Sequence, residues 1–355
     1  KNSTGDIELK AGEDYSAAFD STTGFLTITM LAGGKGAAAT AIKVSGKVID
    51  PSKVTKEDVI GAVDPSTGTE TGAQVIRQVY PRLGIVPGLI LAPGWSQIPE
   101  VGLALAAKAA KINGVYSAMA LLDLDTAKAK KYTDTKSVKE ESGYTSPFCY
   151  PLWPCDRVGE YILAKSAVAG AMIQYMASDN EDVPNQSPSN HLLGVGGQCL
   201  EDGTEVYLDQ DQANTVNGYG VTTAINQNGY RLWGNYTGAY PASSDAKDIW
   251  FAVRRMFSWQ GNNFIQTYFD EVDDPMNNVL VQSVVDSENI RCSAYAPKYW
   301  AGASIEYKSD DNPKTAILAG TMKFRQHIAP YTPAQEIVDI IDYDTDTLAA
   351  AVGGN

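Results

Sequence analysis

Apolar strand-like runs alternate with helical runs between residues 83 and 243, and this alternation constrains the fold more than any other feature. The apolar runs have the length of buried strands and lie at residues 85–92, 116–124 and 146–152. The helical patterns lie at residues 99–112, 126–131 and 160–178. Buried strands that are each followed by a helix pair in parallel between two helical layers. The sequence therefore predicts an α/β core with a mostly parallel sheet and helices on both faces.

The segments on either side of this core have other patterns. In the N-terminal part, residues 15–19 and 25–31 can pair as a hairpin, and residues 41–49 alternate between apolar and polar side chains. Thr55 is placed to cap a short helix that begins at Lys56. The C-terminal part has helical runs at residues 247–272, 275–286 and 288–300, then strand-like runs at 303–307, 320–328 and 336–344. We predict a β-rich domain at 1–82, the α/β core at 83–243 and an α+β domain at 244–355.

Composition excludes several classes of partner. The chain has 355 residues, 44% of them hydrophobic, and a formal net charge of −14. Nucleic acids and anionic membranes favour basic patches, so we predict neither as a partner. The longest apolar helical run, residues 161–177, contains Lys165 and is short for a membrane span. We interpret it as a buried helix and predict no membrane insertion.

The supply of metal-binding residues is poor. The chain has four cysteines without a C-x-x-C pair, and only two histidines. We therefore predict no metal site, no cofactor and reduced thiols, as in a cytosolic protein. Because the chain begins with Lys1 rather than methionine, we expect it to be a processed or truncated product.

One short motif offers an enzymatic alternative. The sequence LLDLDT at residues 121–126 follows an apolar strand and resembles the opening motif of haloacid-dehalogenase-type phosphatases. In those enzymes one carboxylate attacks phosphorus, a second shuttles a proton and Mg²⁺ offsets the charge. Asp123 and Asp125 would hold these roles, but no convincing downstream lysine and acid pair follows. The alternative is that Asp125 or Thr126 caps the next helix.

A tight hairpin with a distinctive ending lies near the end of the predicted core. Strand-like runs at residues 221–225 and 230–235 flank Asn228-Gly229, a dipeptide that favours a positive-φ hairpin turn. The second run ends in Trp-Gly-Asn-x-Thr, and the basic pair Arg254-Arg255 follows on a predicted helix.

This arrangement resembles the contractile tail sheath proteins of bacteriophages, prophages and phage-tail-like particles. Three further segments resemble the family in the same order: PGLILAPGWS at 87–96, SPSN followed by HLLGVGG at 187–197, and residues 319–343. With residues 41–76, the resemblance covers nearly the whole chain. It implies a core that is subtilisin-like in shape, an outer β-sandwich-like N-terminal domain and no enzyme activity. Protease chemistry is rejected because no glycine-rich serine turn follows His191.

The resemblance also implies a function. A sheath subunit polymerises as stacked six-fold rings around the tail tube and contracts to drive the tube through the target cell envelope. Its implied partners are copies of itself in a helical stack, the tail tube protein, and the baseplate and tail terminator proteins. The implied location is a virion tail or phage-tail-like particle, assembled in the bacterial host cytoplasm. A different phage-particle component, such as an adhesin module, is a further alternative.

Two segments are candidates for contacts between subunits. Arg254 and Arg255 are either exposed residues that pair with nearby acids, or half of an ion pair with a neighbouring subunit. The apolar side chains of residues 336–344 could add a strand to a neighbour's sheet or accept one; they are Ile337, Val338, Ile340 and Ile341. The alternative is an ordinary edge strand within the C-terminal domain.

Overall fold

The computed structural model describes residues 7–20, 25–44 and 50–353. The chain forms two compact units, Lys1–Val54 and Thr55–Asn355. This division is coarser than the three domains expected from sequence, so the limits at residues 82 and 243 stay predictions.

The first unit contains a hairpin. Strands β1 (Tyr15–Phe19) and β2 (Leu26–Met30) are antiparallel, as the sequence predicts. The carboxylate of Asp14 accepts backbone hydrogen bonds from Lys10 at 2.9 Å and Lys35 at 2.7 Å, and these bonds lower its pKa. The predicted strand at 41–49 is absent from residues 41–44, and residues 45–49 lie outside the described residues.

The second unit mixes helices and strands in several sheets. Its helices are α1 (Lys56–Ile60), α2 (Val79–Leu83), α3 (Pro99–Ala110), α4 (Thr135–Ser142), α5 (Lys165–Asp179), α6 (Gln210–Gly218), α7 (Ala246–Ile249), α8 (Phe251–Thr267), α9 (Asn278–Ala294), α10 (Lys314–Leu318) and α11 (Thr345–Ala351). Its strands are β3 (Leu89–Leu91), β4 (Met119–Asp123), β5 (Cys149–Leu152), β6 (Cys155–Val158), β7 (Tyr161–Leu163), β8 (Gly197–Cys199), β9 (Thr223–Asn226), β10 (Tyr230–Trp233), β11 (Trp300–Glu306) and β12 (Arg325–Pro330).

A capping box begins this unit, as predicted. The Thr55 hydroxyl accepts a hydrogen bond from the Asp58 backbone at 3.4 Å, and the Asp58 carboxylate accepts one from the Thr55 backbone at 2.8 Å. These reciprocal bonds satisfy donors that the first turn of a helix leaves unpaired.

The predicted parallel sheet is present, with shorter strands. Strand β4 lies between β3 and β5, and both pairings are parallel. Successive β4 side chains enter different clusters: Ala120 and Leu122 pack in the cluster that includes Val101 of α3. Met119 and Leu121 pack with Ala169 and Ile173 of α5. This period of two places helices on both faces of the sheet.

The core differs locally from the prediction. Residues 126–128 form a turn in place of the predicted helix at 126–131, and α4 begins only at Thr135. The predicted helix at 160–178 begins at Lys165, because residues 161–163 pair with β6 as β7. Strand β6 also pairs with β8, which gives a second, antiparallel sheet of three strands.

The Asn-Gly hairpin is confirmed. Strands β9 and β10 are antiparallel, with Trp233 opposite Thr223. Asn228 has a φ of 55° and Gly229 a φ of 107°, which is the backbone geometry that this dipeptide favours.

The C-terminal part pairs two long helices with a hairpin of β11 and β12. The buried side chains of Met256 on α8, Cys292 on α9 and Trp300 on β11 share one cluster. The predicted helix at 247–272 is interrupted at Trp250, whose backbone is extended (φ −91°, ψ 121°). The two helices predicted at 275–286 and 288–300 are one helix, α9. The strand predicted at 336–344 is absent, since these residues are in neither helix nor strand.

Candidate self-assembly surface

Arg254 lies in the first turn of α8 and makes contacts within its own chain. Its Nη1 is 3.2 Å from Oδ1 of Asp248, which Lys247 Nζ also contacts at 2.6 Å. Its guanidinium lies over the Phe148 ring, 4.7 Å from the centroid, while its Nε is buried without an acceptor among the described residues. Burial would raise the pKa of Asp248, but the contacts with Lys247 and Arg254 lower it on balance. Arg254 is thus a half-buried residue, not an exposed one.

Arg255 differs from its neighbour. Its guanidinium lies 5.6 Å from the centroid of the Phe251 ring, and no hydrogen bond or ion pair joins it to any other described residue. It lines a cavity of about 310 Å³ beside α8. Burial lowers the pKa of Arg255 to about 10, so the side chain remains charged at neutral pH. The two arginines therefore have separate environments.

The four predicted aliphatic side chains near the C-terminus are exposed. Ile337 is 89% exposed, Val338 69%, Ile340 79% and Ile341 87%. This apolar run predicts a strand, but a strand needs a neighbouring edge, and residues 331–344 pair with no described strand. An exposed apolar stretch of this kind is typical of a surface that another molecule covers.

The phosphatase hypothesis finds no support. Asp123 is buried, and its Oδ2 accepts hydrogen bonds from the hydroxyls of Ser96 at 2.9 Å and Ser166 at 2.5 Å. Its Oδ1 accepts the backbone N–H of Ser166 at 2.8 Å, at the start of α5. Burial raises the pKa of Asp123, and the Ser166 bonds oppose that rise. Both carboxylate oxygens of Asp123 therefore bind the start of α5. A nucleophilic aspartate would need one of these oxygens to be free to attack phosphorus.

The second acid of this motif also has a local role. Asp125 Oδ1 accepts the backbone N–H of Ala127 at 2.9 Å, and Thr126 Oγ1 accepts that of Glu201 at 3.1 Å. The expectation that Asp125 or Thr126 caps the next helix is wrong, because residues 126–128 form a turn and α4 begins only at Thr135. The sequence also did not indicate that Asp123 binds the start of α5. Within the part of the chain that the structure describes, no cluster of His, Cys, Asp and Glu could hold a metal ion.

Two buried charged groups were not predicted. Lys165 and Asp156 form an ion pair in which both side chains are fully buried. Glu288 of α9 is also fully buried and accepts hydrogen bonds from Gln260 at 2.6 Å and Arg291 at 2.6 Å. Lys165 within an otherwise apolar run was the available signal for the first pair. For Glu288 the local signal was Arg291 three residues later on α9, whereas Gln260 comes from α8.

No helix of the described ranges combines the length and the apolar character needed to cross a lipid bilayer.

Comparison with known proteins finds tail sheath proteins that are similar to this chain, although no protein-family model matches it. The tail sheath protein of Burkholderia phage BcepMu is 26% identical over 372 aligned positions, which cover 100% of this chain and 75% of that protein. The tail sheath protein of Escherichia phage P2 is 24% identical over 294 positions, covering 80% of this chain and 69% of that protein. The chain is similar along its whole length to phage tail sheath proteins. Its sheath relatives are structural components of phage tails.

Solved structures share the fold of this chain. The sheath complex of an extracellular contractile injection system, PVC, in its contracted state has a TM-score of 0.62 and 17% identity to this chain. The match covers 78% of this chain and 76% of the other. At this identity the likeness establishes a shared mixed α/β fold with several sheets.

Proposed function

We propose that the chain is the structural subunit of a contractile tail sheath. Copies would polymerise as stacked six-fold rings around a tail tube and contract to drive the tube through the target cell envelope. The similarity to the BcepMu tail sheath protein along the whole chain carries this proposal. The proposal includes the subtilisin-like core shape, the domain limits at 82 and 243, and the absence of enzyme activity.

Self-association would use the exposed C-terminal segment. The large aliphatic side chains of Ile337 and Ile341 are more than four-fifths exposed, so covering them with a second copy would remove apolar surface from water. The backbone of residues 336–343 forms no hydrogen bond with any described residue, and a neighbour's sheet edge would pair it by strand addition. Main-chain pairing of this kind can persist while rigid subunit cores rotate against each other.

Contraction needs two packings of one fold. Closely packed cores do not deform continuously, so the change would occur at contacts between subunits. We propose that Arg254 and Arg255 take part at one such contact, and Val338 and Ile340 at another. Baseplate, tail terminator and tube proteins would be the other partners, and assembly would take place in the host cytoplasm before incorporation into the particle.

Two deletions test the assembly surface. The first removes residues 336–355, and the matched control removes only residues 345–355, which retains the aliphatic side chains. With the tail tube protein present, we expect tubes or rings in electron micrographs for the parent and the control, and dispersed subunits for the larger deletion. Polymers that form equally with the larger deletion would contradict the assigned surface, and a parent that never forms rings or tubes would contradict the function.

A further inference from the structure

A cavity on α8 has the composition of an anion site. It has a volume of about 310 Å³ and lies between the chain before β3 and one face of α8. Its lining consists of Gly84, Ile85, Val86, Gly88, Ser117, Pro184, Arg255, Ser258, Trp259, Asn262, Asn263 and Gln266. Arg255 is the charged residue of this lining, which contains no carboxylate. In a chain with a net charge of −14, this lining therefore carries a single positive charge and no negative one.

Several donors of this lining lack acceptors. Ser258 is 5% exposed, and its hydroxyl has no hydrogen-bond partner among the described residues. The side-chain donors of Arg255, Asn263 and Gln266 likewise bond to no described residue. Asn262 is different, because its side chain bonds to the Ser117 backbone at 2.9 Å and 2.7 Å. Buried polar groups are normally paired, so the unpaired hydroxyl of Ser258, in the same lining as Arg255, indicates a missing partner.

The neighbouring arginine is a useful contrast. Arg254 already has a carboxylate, that of Asp248 at 3.2 Å, and an aromatic ring beneath its guanidinium. Arg255 has the ring of Phe251 but no carboxylate among the described residues. A guanidinium presents a planar fork that suits the two oxygens of a carboxylate. Of the two arginines, only Arg255 is therefore placed to bind a carboxylate of another molecule.

We propose that this cavity binds a carboxylate, and that its occupant is an Asp or Glu side chain of a second copy of this chain. The inference rests on the proposed self-assembly. A volume of about 310 Å³ is large enough to admit an Asp or Glu side chain. The chain has 42 acidic against 28 Lys and Arg residues. Acids at 270–274 and 336–346 form no ion pair among the described residues, so a second copy offers suitable carboxylates.

A small dicarboxylate tests the site without requiring a polymer. Sodium glutarate is titrated by calorimetry against the parent, Arg255→Gln and Ser258→Ala at constant ionic strength. We expect saturable binding by the parent, at least tenfold weaker binding by Arg255→Gln and severalfold weaker binding by Ser258→Ala. Arg82→Gln is the matched control, since Arg82 is exposed and loses the same charge. Absence of glutarate binding by the parent, or equal binding by Arg255→Gln, would overturn the site.

Two further measurements keep the test decisive. Circular dichroism and the Tm establish that each variant folds, and Ser258→Ala should not lower the Tm because the lost hydroxyl has no partner. If Arg255→Gln fails to fold, glutarate binding by Ser258→Ala therefore tests the site in its place. Inorganic phosphate is titrated in parallel. Phosphate binding that is tighter than glutarate binding and lost in Arg255→Gln would identify a phosphate site and overturn the assignment to a carboxylate.

Assembly then identifies the source of the carboxylate. Sedimentation gives the concentration at which the parent, Arg82→Gln and Arg255→Gln polymerise. We expect Arg255→Gln alone to need at least a tenfold higher concentration, and an unchanged threshold would overturn a second copy as the occupant. If the parent never polymerises, the proposed function fails, while glutarate binding still decides whether the cavity is a carboxylate site.

Discussion

The hydroxyl of Tyr236 donates a hydrogen bond to Oε1 of Gln335 at a distance of 2.7 Å. The Tyr236 ring stacks on that of Tyr240 at a centroid separation of 3.7 Å, and on that of Trp250 at 4.9 Å. Gln335 immediately precedes the exposed residues 336–344. A stack of three rings therefore fixes the point from which the proposed assembly segment leaves the rest of its unit.

Removing this anchor should loosen the segment with little effect on global stability. In Tyr236→Phe the stacking rings remain but the hydrogen bond to Gln335 is lost. We expect faster hydrogen exchange and faster proteolysis within residues 336–344, and a loss of about 1 kcal/mol or less in unfolding free energy.

A matched control is available nearby. The hydroxyl of Tyr331 donates to the Pro297 carbonyl at 2.9 Å, four residues before Gln335. Tyr331→Phe removes a comparable bond but leaves the last anchor in place, so exchange beyond residue 336 should not change. Equal exchange in both variants would contradict the role of Tyr236.

Asp123 should behave as a structural residue. In Asp123→Asn an amide donor replaces an acceptor that faces the donors of Ser96 and Ser166. We expect a loss of about 1–3 kcal/mol in unfolding free energy, measured by urea titration. Asp125→Asn, at the half-buried second acid, should cost less. Turnover of p-nitrophenyl phosphate with Mg²⁺ that disappears in Asp123→Asn at unchanged stability would revive the phosphatase hypothesis.

The buried carboxylate of Glu288 depends on Arg291. In Arg291→Met this carboxylate loses its cation at 2.6 Å while it remains inside the unit. Leaving a buried charge unpaired costs about 3–5 kcal/mol, so we expect a loss near the lower limit because Gln260 and Gln326 still donate.

The control for that variant is an exposed ion pair. Lys298 and Glu181 are 2.8 Å apart, but their side chains are 60% and 71% exposed. Solvent screens exposed pairs, so Lys298→Met should have a small effect in the same denaturant titration. Similar losses of unfolding free energy in Arg291→Met and Lys298→Met would show that the burial of Glu288 does not increase the cost of removing its cation.

Local patterns predicted the parts of the fold that local chemistry determines. The Asn228-Gly229 turn and the Thr55 cap need only neighbouring residues, and the apolar runs of β3 to β5 need only a covered sheet. Partners that are distant in sequence decided the rest. Trp250 interrupts a helical pattern where its backbone forms a β-bridge with Tyr236. Residues 336–344 form an apolar, strand-like run, yet they pair with no described strand.

The candidate sites also combine features that neighbouring residues indicate with features that depend on residues distant in sequence. The sequence identified the Arg254-Arg255 pair but could not separate its members, because their surroundings differ only through tertiary contacts with Asp248 and Phe148. The cavity at Arg255 was not predictable, since its lining comes from segments near residues 84, 117, 184 and 255.

The Trp-Gly-Asn sequence at the end of β10 has a steric cause that can be tested. Gly234 has a φ of 151°, and a Cβ there would lie 2.5 Å from Oγ1 of Thr222 and 2.9 Å from Oδ1 of Asn217. Both of these neighbours are buried, so they have little room to move. We expect Gly234→Ala to cost about 3 kcal/mol or more, through backbone strain and overpacking together.

We expect the opposite effect on stability when Gly261, in the same unit, is replaced by alanine. It lies inside α8, and an added Cβ would meet nothing within 4 Å. Alanine is about 1 kcal/mol more favourable than glycine in a helix interior, so Gly261→Ala should raise the Tm where Gly234→Ala lowers it. Denaturant titrations of both variants measure the difference. If Gly234→Ala is as stable as the parent, the glycine of this hairpin ending is not required by the packing against Thr222 and Asn217.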